Sequence, residues 1–447
     1  MSKLPLQLLK SLNKLEHFNE TDFIKAHDEE NKLTSLRLNP FKKVDLDFKL
    51  DKKVLWNESG FYLKNRPYFT YDPLFHAGCY YVQEAGSMFL EFILKNTLDF
   101  NNKLRVLDVC AAPGGKSTLI NSLLNGESLL VSNEIIKSRA DVLAQNLSKW
   151  GTCNSIVTNG DPSRFTEIHA FFDCIVVDAP CSGSGLFRKQ PDAINEWSED
   201  SVKACGIRQK RILEDVLPAL KDSGILIYST CSYSIEENEN IVESLINSHG
   251  LEYVPLTIEK QWNIIETQYG YRFYPHLTDS EGFFCAILRK AEGQQRPRTF
   301  RNKLEKSTAK SETDILSPFI KPSNDLLIKK NTHFHLMNNE AAVFLQAFEK
   351  QFYFKKAGVL VGEIKGKDVV PSHELALSLN VSESISVLCL DKENAVKFLK
   401  KEVFFYEQNN LILNFSYSVN CSSNADSSIS LFDNSALLSA NFLICSR

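Results

Sequence analysis

The 447-residue sequence has no run of 18 or more apolar residues, so no transmembrane helix is expected. Its opening stretch, MSKLPLQLLKSLNKLEHFNE, spreads charges throughout and has no small-residue cleavage site, so no secretory leader is expected and the cytoplasm is the expected compartment. The eleven cysteines include no Cys-x-x-Cys pair, which argues against a zinc ribbon or finger, and no metal is expected. In a cytosolic chain they should be reduced thiols, most of them small core residues. The net charge is only -4, so any nucleic-acid contact must come from local basic patches rather than from the summed field. Gly-x-Gly-x-x-Gly is absent, and no internal repeat is found.

What is present is a soluble globular composition, 43% hydrophobic and 24% charged, in a chain long enough for two or three domains. From about 104 to 232, short apolar β-branched runs alternate with helical patterns: strands at 104–109, 128–134, 155–157, 174–177 and 224–229, with helices from Gly115 and over 137–150. That alternation predicts an α/β fold, a parallel, doubly wound, Rossmann-like sheet whose ligands bind at the carboxyl ends of the strands. Residues 290–312 carry seven basic and three acidic residues without apolar periodicity. They read as a solvated linker, or one whose basic excess touches phosphates. From Leu411 to Arg447 there are ten serines, five asparagines, three charged residues and no glycine, a composition hard to fit into a compact β domain.

The unusual residues cluster at the predicted strand ends. Asp108-Val109-Cys110-Ala111-Ala112-Pro113-Gly114-Gly115-Lys116 lies between a strand and a helix. Small residues there let the backbone approach a cofactor, and the helix start supplies free N–H donors. Gly115-Lys116-Ser117 matches the end of a P-loop, with 174–178 as its Walker-B strand, but the first glycine of that motif would have to replace Cys110. Glu134, ending the second strand, suits the two hydroxyls of a ribose. Asp161, after the third, suits an adenine amino group; either carboxylate alone could equally be a surface turn residue. Asp178-Ala179-Pro180-Cys181-Ser182-Gly183-Ser184-Gly185 and Ser229-Thr230-Cys231-Ser232 each set a cysteine just past a strand. A thiol is the side chain best suited to attack an electron-poor pyrimidine, and two in one pocket could also form a redox pair.

Taken in order, these three motifs resemble the RNA cytosine-carbon-5 methyltransferases of the Sun family, of the rRNA small-subunit methyltransferase F type. Gln83-Glu84-Ala85-Gly86-Ser87-Met88 and Ser35-Leu36-Arg37-Leu38-Asn39 resemble that family too. The resemblance implies S-adenosylmethionine as cofactor, wrapped by Cys110, Ala111, Ala112, Pro113, Gly114, Gly115 and Lys116. Glu134 would then hold its ribose and Asp161 its adenine, with Asp178 between cofactor and base or on the cytosine N3/N4 edge. It implies Cys231 as nucleophile on carbon 6 and Cys181 as the residue assisting loss of the carbon 5 proton and product release; spacing alone does not separate the two roles.

The resemblance further implies RNA as partner, an N-terminal RNA-binding extension over 1–95, the methyltransferase domain over 96–290, a linker over 291–312 and a PUA-like RNA-binding domain over 313–410. The Ser/Asn-rich tail, 411–447, departs from the pattern. Arg188 and Lys189 are candidates for phosphate contacts, or an ordinary exposed basic pair. The aromatic stretch from Phe61 to Tyr81, with Lys64 and Arg66, could stack single-stranded RNA or simply pack a core. His333-Phe334-His335 reads as a surface strand. The expected protein is a monomer acting on small-subunit rRNA. The alternatives are a transfer-RNA cytosine methyltransferase and an RNA-binding assembly factor without activity.

Overall fold

The computed structural model describes residues 4–28, 33–293, 308–385, 387–400, 402, 404–408, 411–415 and 443–446. After two short helices, Leu6–Leu12 and Glu20–Asp28, come β1 (Thr34–Leu38), β2 (Leu50–Lys53), β3 (Gly60–Leu63) and β4 (Tyr80–Val82). They form an antiparallel sheet in the order β2-β3-β1-β4.

The central sheet draws on β5 (Arg105–Asp108), β6 (Leu129–Glu134), β7 (Ser155–Asn159), β8 (Phe172–Asp178), β9 (Leu220–Thr230), β10 (Leu251–Tyr253), β11 (Ile265–Thr267), β12 (Gly270–Phe273) and β13 (Phe283–Lys290). Every residue of β6 is buried, as expected for a strand covered by helices on both faces. The neighbours run β9-β8-β5-β6-β7 in parallel, so the order reverses at β5. A ligand crevice is expected there, outside the carboxyl ends of β5 and β8. On the β9 side, β13, β12 and β11 extend the sheet in antiparallel fashion, strands that the alternation of the sequence does not announce.

The helix Lys137–Trp150 buries Ala140, Leu143, Leu147 and Trp150, one face at helical spacing, and ends where Gly151 adopts φ 100°. The long helix Glu199–Val216 starts on a Ser198–Ser201 capping box and buries Val202, Gly206, Gln209 and Leu213.

Beyond the linker lie β14 (Leu326–Lys330), β15 (His333–Met337), β16 (Tyr353–Ala357), β17 (Val359–Lys365) and β18 (Asp368–Pro371). Four of them make a sheet in the order β14-β15-β17-β18, but β16 leaves it and pairs antiparallel with β7, closing that edge of the central sheet. The helix Asn339–Phe348 follows the same route. Phe344 and Phe348 pack on Phe171, and the Phe352 ring lies tilted with its centroid 4.7 Å from that of Phe165, all within one core with β5 to β9. Part of region 313–410, set apart in the sequence by its charged linker, therefore shares the core of the central domain, while Phe334, Leu336, Val361 and Leu375 belong to a cluster of their own.

The tail supplies strands as well: Leu411–Phe415 pairs with Phe404–Gln408, and Leu443–Ser446 runs parallel to Val387–Leu390. Its Leu-Ile-Leu and Leu-Ile-Cys runs are β-prone, and such pairs need no turn glycine of their own. Residues 294–307 of the linker and 416–442 of the tail lie outside the described residues.

Candidate functional site

Asp108 ends β5 and Asp178 ends β8, so the topology sets the two carboxylates side by side at the point of strand-order reversal. Lys116 enters from the first turn of the helix Gly115–Leu123 and pairs with Asp178 at 2.8 Å. The other Asp178 oxygen accepts from the Ser229 hydroxyl at 2.7 Å. Burial alone would lower Lys116, yet Asp178, with Asp108 and Cys231, outweighs it and holds the ammonium above its ordinary range. Asp108 is wholly buried; its Oδ2 accepts from Ser117 at 2.6 Å, while its Oδ1 has no partner. Desolvation pushes it up to about 7. Lys116 and Ser117 are thus both engaged by aspartates, which takes from the P-loop reading the two residues that would hold phosphate and its metal ion.

The turn between them is fixed from outside. Gly114 sits at φ 113°, the Ala112 carbonyl accepts from Arg139 at 2.7 Å, and the Pro113 carbonyl accepts from Asn146 at 2.8 Å. The two upstream motifs meet behind it. Arg37, 1% exposed, donates to Gln83 at 2.9 Å, to Thr118 Oγ1 at 2.7 Å and to the Gly115 carbonyl at 3.3 Å. The N-terminal sheet therefore grips the helix that carries Lys116.

Glu134, 3% exposed, accepts from the Ile136 amide at 2.9 Å and faces Arg139 at 3.5 Å. Beside it Ile135 and Ile136 are about half exposed, an apolar face that sequence reasoning did not single out. Asp161 is less committed to the crevice. Its Oδ1 caps the turn Pro162–Phe165 through the Ser163 amide, and its Oδ2 pairs with Arg211 at 3.0 Å. These hydrogen bonds, with Arg211, hold it below the usual carboxylate range against the opposing effect of burial.

A cationic, ribose-bearing purine such as S-adenosylmethionine fits these residues. There is an orphaned buried carboxylate oxygen at Asp108, a glycine turn at 114–115, a buried Glu134 and an apolar surface at Ile135–Ile136.

Cys181 follows β8 and Cys231 follows β9, and because these strands are neighbours the two free thiols meet, sulfur to sulfur, at 2.8 Å. The loops touch through backbone: the Gly185 amide donates to the Cys231 carbonyl at 2.8 Å. A Cβ at Gly185 would lie 2.4 Å from the Gly282 carbonyl oxygen, so only glycine allows this approach. The Cys181 thiol is pushed well up, first by its contact with Cys231 and then by burial. Cys110 is also pushed up, by burial, and lies in the turn rather than with the thiol pair.

Two residues that sequence reasoning missed stand behind the pair: Glu237 and Asn238, both fully buried in the turn after Cys231. Their only sequence signal is position, six and seven residues past Cys231.

Of the basic pair, only Lys189 is exposed. The Arg188 side chain is buried, its Nη1 donating to the Ser280 carbonyl at 3.4 Å and its Nε lying 3.9 Å from Glu281. From Phe61 to Tyr81, Tyr62, Phe69 and Tyr80 are core, as the packing alternative expects, while Tyr68 and Tyr71 are exposed. A cavity of about 650 Å³ lies at the far end of the sheet, among Asp173, Lys221, Glu252 and Arg289, and includes no residue of the three motifs.

A family model described as 16S rRNA methyltransferase RsmB/F matches residues 95–289, and one described as the N-terminal domain of 16S rRNA methyltransferase RsmF matches residues 4–85. A ribosomal RNA small subunit methyltransferase F of Shewanella piezotolerans is 30% identical over 374 residues, covering 79% of this chain and 77% of that one. Its namesake from Aeromonas salmonicida is 31% identical over 407 residues, covering 84% and 83%. Among solved structures, a methyltransferase homolog protein from Pyrococcus horikoshii aligns with a TM-score of 0.52 at 28% identity, covering 64% of this chain and all of that one. The NSun6 of Pyrococcus horikoshii, solved with SFG, shares the fold with a TM-score of 0.55 at 20% identity, covering 65% and 100%.

Proposed function

Because this chain belongs to the 16S rRNA methyltransferase RsmB/F family, we propose that it methylates carbon 5 of a cytosine in small-subunit rRNA through a covalent bond between Cys231 and the base. The observation that carries this reading is the contact of Cys181 and Cys231 at the ends of adjacent strands, beside the cofactor turn.

Carbon 5 of cytosine is a weak nucleophile. Addition of a thiolate to carbon 6 makes it electron-rich, and cysteine is the side chain suited to that attack. The Asp108–Lys116 turn, Glu134 and the two isoleucines would hold S-adenosylmethionine, which would supply an electrophilic methyl group. Lys116 is fixed by Asp178 at 2.8 Å, which with Asp108 and Cys231 holds it protonated against burial, so the site carries a positioned cation. Once carbon 5 carries the methyl group it still holds its proton. Cys181 takes that proton, the C–H electron pair re-forms the 5,6 double bond, and the Cys231 sulfur leaves carbon 6. The base must be turned out of any stack to reach both thiols.

Residues 1–95 and 313–410, the latter as a PUA-like module, are assigned to RNA binding, with the exposed Lys189 on phosphate. Asp161 is assigned to the adenine, Asp178 to the cytosine edge, and the enzyme to a cytoplasmic monomer. No helix among the described residues is long and apolar enough to cross a membrane.

Two measurements test the reading. Bisulfite sequencing of total RNA from a deletion strain should lose one methylated cytosine in 16S rRNA; loss from transfer RNA instead would overturn the substrate. Incubated with RNA and cofactor, Cys181→Ala should accumulate a protein–RNA adduct that survives a denaturing gel, and Cys231→Ala should form none. The opposite pattern would exchange the two roles, and no adduct from either would end the covalent mechanism.

A further inference from the structure

Glu237 is wholly buried, and no lysine or arginine forms an ion pair with it among the described residues. Its carboxylate is nonetheless saturated. Oε1 accepts from the Ser182 amide at 2.7 Å and from Gln209 Nε2 at 3.3 Å, and Oε2 accepts from the Ser182 hydroxyl at 2.6 Å and the Ser232 hydroxyl at 2.5 Å. All four partners donate, the arrangement that suits an ionised, acceptor-only carboxylate. Ser182 adjoins Cys181 and Ser232 adjoins Cys231, so a single side chain ties together the two loops that carry the thiols.

The surroundings brace this link. Gln209 donates to the Pro180 carbonyl at 3.0 Å, one residue before Cys181. The Tyr228 hydroxyl donates to the backbone carbonyl of Glu237 at 2.6 Å. Asn238 accepts from Thr230 Oγ1 at 2.6 Å and donates to the Ser232 carbonyl at 2.8 Å, bracketing Cys231. Gly206 lets the helix Glu199–Val216 close on this turn, since a Cβ there would lie 3.3 Å from the Glu236 carbonyl oxygen. A buried charge costs free energy unless it is fully hydrogen-bonded, and a glutamine here would remove the charge and reverse one side of the clamp, its N–H₂ donating to the two serine hydroxyls that now donate to the carboxylate.

We propose that Glu237 is the positioning residue of the two-thiol site, clamping the Cys181 and Cys231 loops to each other and placing a fixed negative charge on the Cys181 side. The proposal rests on the two-cysteine reading above for its link to turnover. Two of the four bonds to Glu237 come from Ser182, next to Cys181, and the carboxylate helps to push that thiol up, after its contact with Cys231 and its burial. The titratable groups facing Cys181 are Cys231, Glu237 and the Tyr228 phenol, with Cys205 of the long helix facing Glu237.

The test begins without RNA or cofactor. Full-length wild type and Glu237→Gln are alkylated with iodoacetamide across pH 6 to 10, and each cysteine is followed by mass spectrometry, with Cys153 as a distant reference. Removing the charge should move the Cys181 alkylation profile to lower pH, with at least threefold faster labelling at pH 7.5, while Cys153 keeps its rate. With RNA, kcat should fall at least tenfold while KM for RNA and the Kd for S-adenosylmethionine stay within twofold, and Glu237→Asp should restore part of kcat. If Glu237→Gln does not fold, Ser182→Ala keeps the carboxylate, removes one anchor and should lower kcat in the same manner. An unchanged Cys181 profile with kcat within twofold of wild type would overturn the proposal. A shifted profile in a protein that forms no RNA adduct would support the clamp and count against the covalent mechanism instead.

Discussion

The ammonium of Lys42, in the N-terminal module, donates to the backbone carbonyl of Leu377, at the end of a helix 335 residues further along the chain, at 2.6 Å. The same nitrogen donates to the carbonyls of Lys149 at 2.6 Å and Ala77 at 2.8 Å. Three helices, Pro73–His76, Lys137–Trp150 and His373–Leu377, thus point their carboxyl ends at one cation. A helix end carries unsatisfied carbonyls and partial negative charge, so one ammonium serves all three. Burial lowers Lys42 to about 8.

Lys42→Met should keep the apolar stem and lose the cap. Each carbonyl left without a partner costs about 1–3 kcal/mol when buried. The melting temperature should fall by several degrees, with affinity for S-adenosylmethionine unchanged within twofold. A shift below one degree in scanning calorimetry would show that water replaces the ammonium freely.

Asp108 gives a pH signature. Burial holds it at about 7, with Asp178 and Glu134 also raising it and Ser117 and Lys116 opposing, whereas an unfolded aspartate titrates near 3.9. Between those values the folded chain binds the extra proton. Stability is therefore lost as pH rises through that window, by up to about 4 kcal/mol above it. Asp108→Asn should melt at a higher temperature than wild type at pH 8, with little difference at pH 4, while binding S-adenosylmethionine more weakly. Equal melting temperatures at both pH values would refute this account.

The two proposed cofactor carboxylates should differ. Glu134 is buried, with one oxygen meeting only Arg139 at 3.5 Å, whereas both oxygens of Asp161 already have partners. Glu134→Ala should raise the dissociation constant for S-adenosylmethionine about 5- to 150-fold, since an unpaired buried ligand group costs about 1–3 kcal/mol. Asp161→Ala should raise it less. Isothermal titration decides, and a larger effect at Asp161 would reverse the ranking.

Truncations should behave unequally. Ending the chain at residue 410 removes strands that, among the described residues, pair only within the C-terminal region, and should leave the cofactor affinity intact. Ending it at residue 307 removes β16 together with Phe344, Phe348 and Phe352, each worth about 1.5–3 kcal/mol of burial. That shorter chain should be insoluble or lack a cooperative melting transition. Soluble, cofactor-binding protein from it would show that the central sheet stands alone.

Lys116, Asp178, Cys181 and Cys231 were legible in the sequence because each lies at or just after a strand end, Lys116 in the first turn of the helix that follows, within a motif of contiguous residues. Glu237 was not. Its partners Ser182 and Gln209 lie 55 and 28 residues away, and a glutamate after a turn reads as a solvated surface residue. Arg188 reads as exposed because it adjoins Lys189, yet the 280–281 segment covers it. The sequence also hides β16: Tyr-Phe-Lys-Lys-Ala lacks the period-two alternation of a half-buried strand, and nothing local says that its partner is β7. The parallel core was readable from its apolar runs, while β11 to β13 depend on pairing chosen by tertiary contacts.

The pairing of β7 with β16 also sets an order in time. Asn159 leaves the ribosome about 200 residues before its partner Tyr353. At 5–20 residues per second, the uncharged edge Ser-Ile-Val-Thr-Asn waits roughly 10–40 seconds for its cover. An unpaired edge strand is a template for whatever strand arrives first. Each nascent copy therefore passes through a window in which its cofactor sheet can be captured by a neighbouring chain, and slower translation of the linker codons would lengthen that exposure.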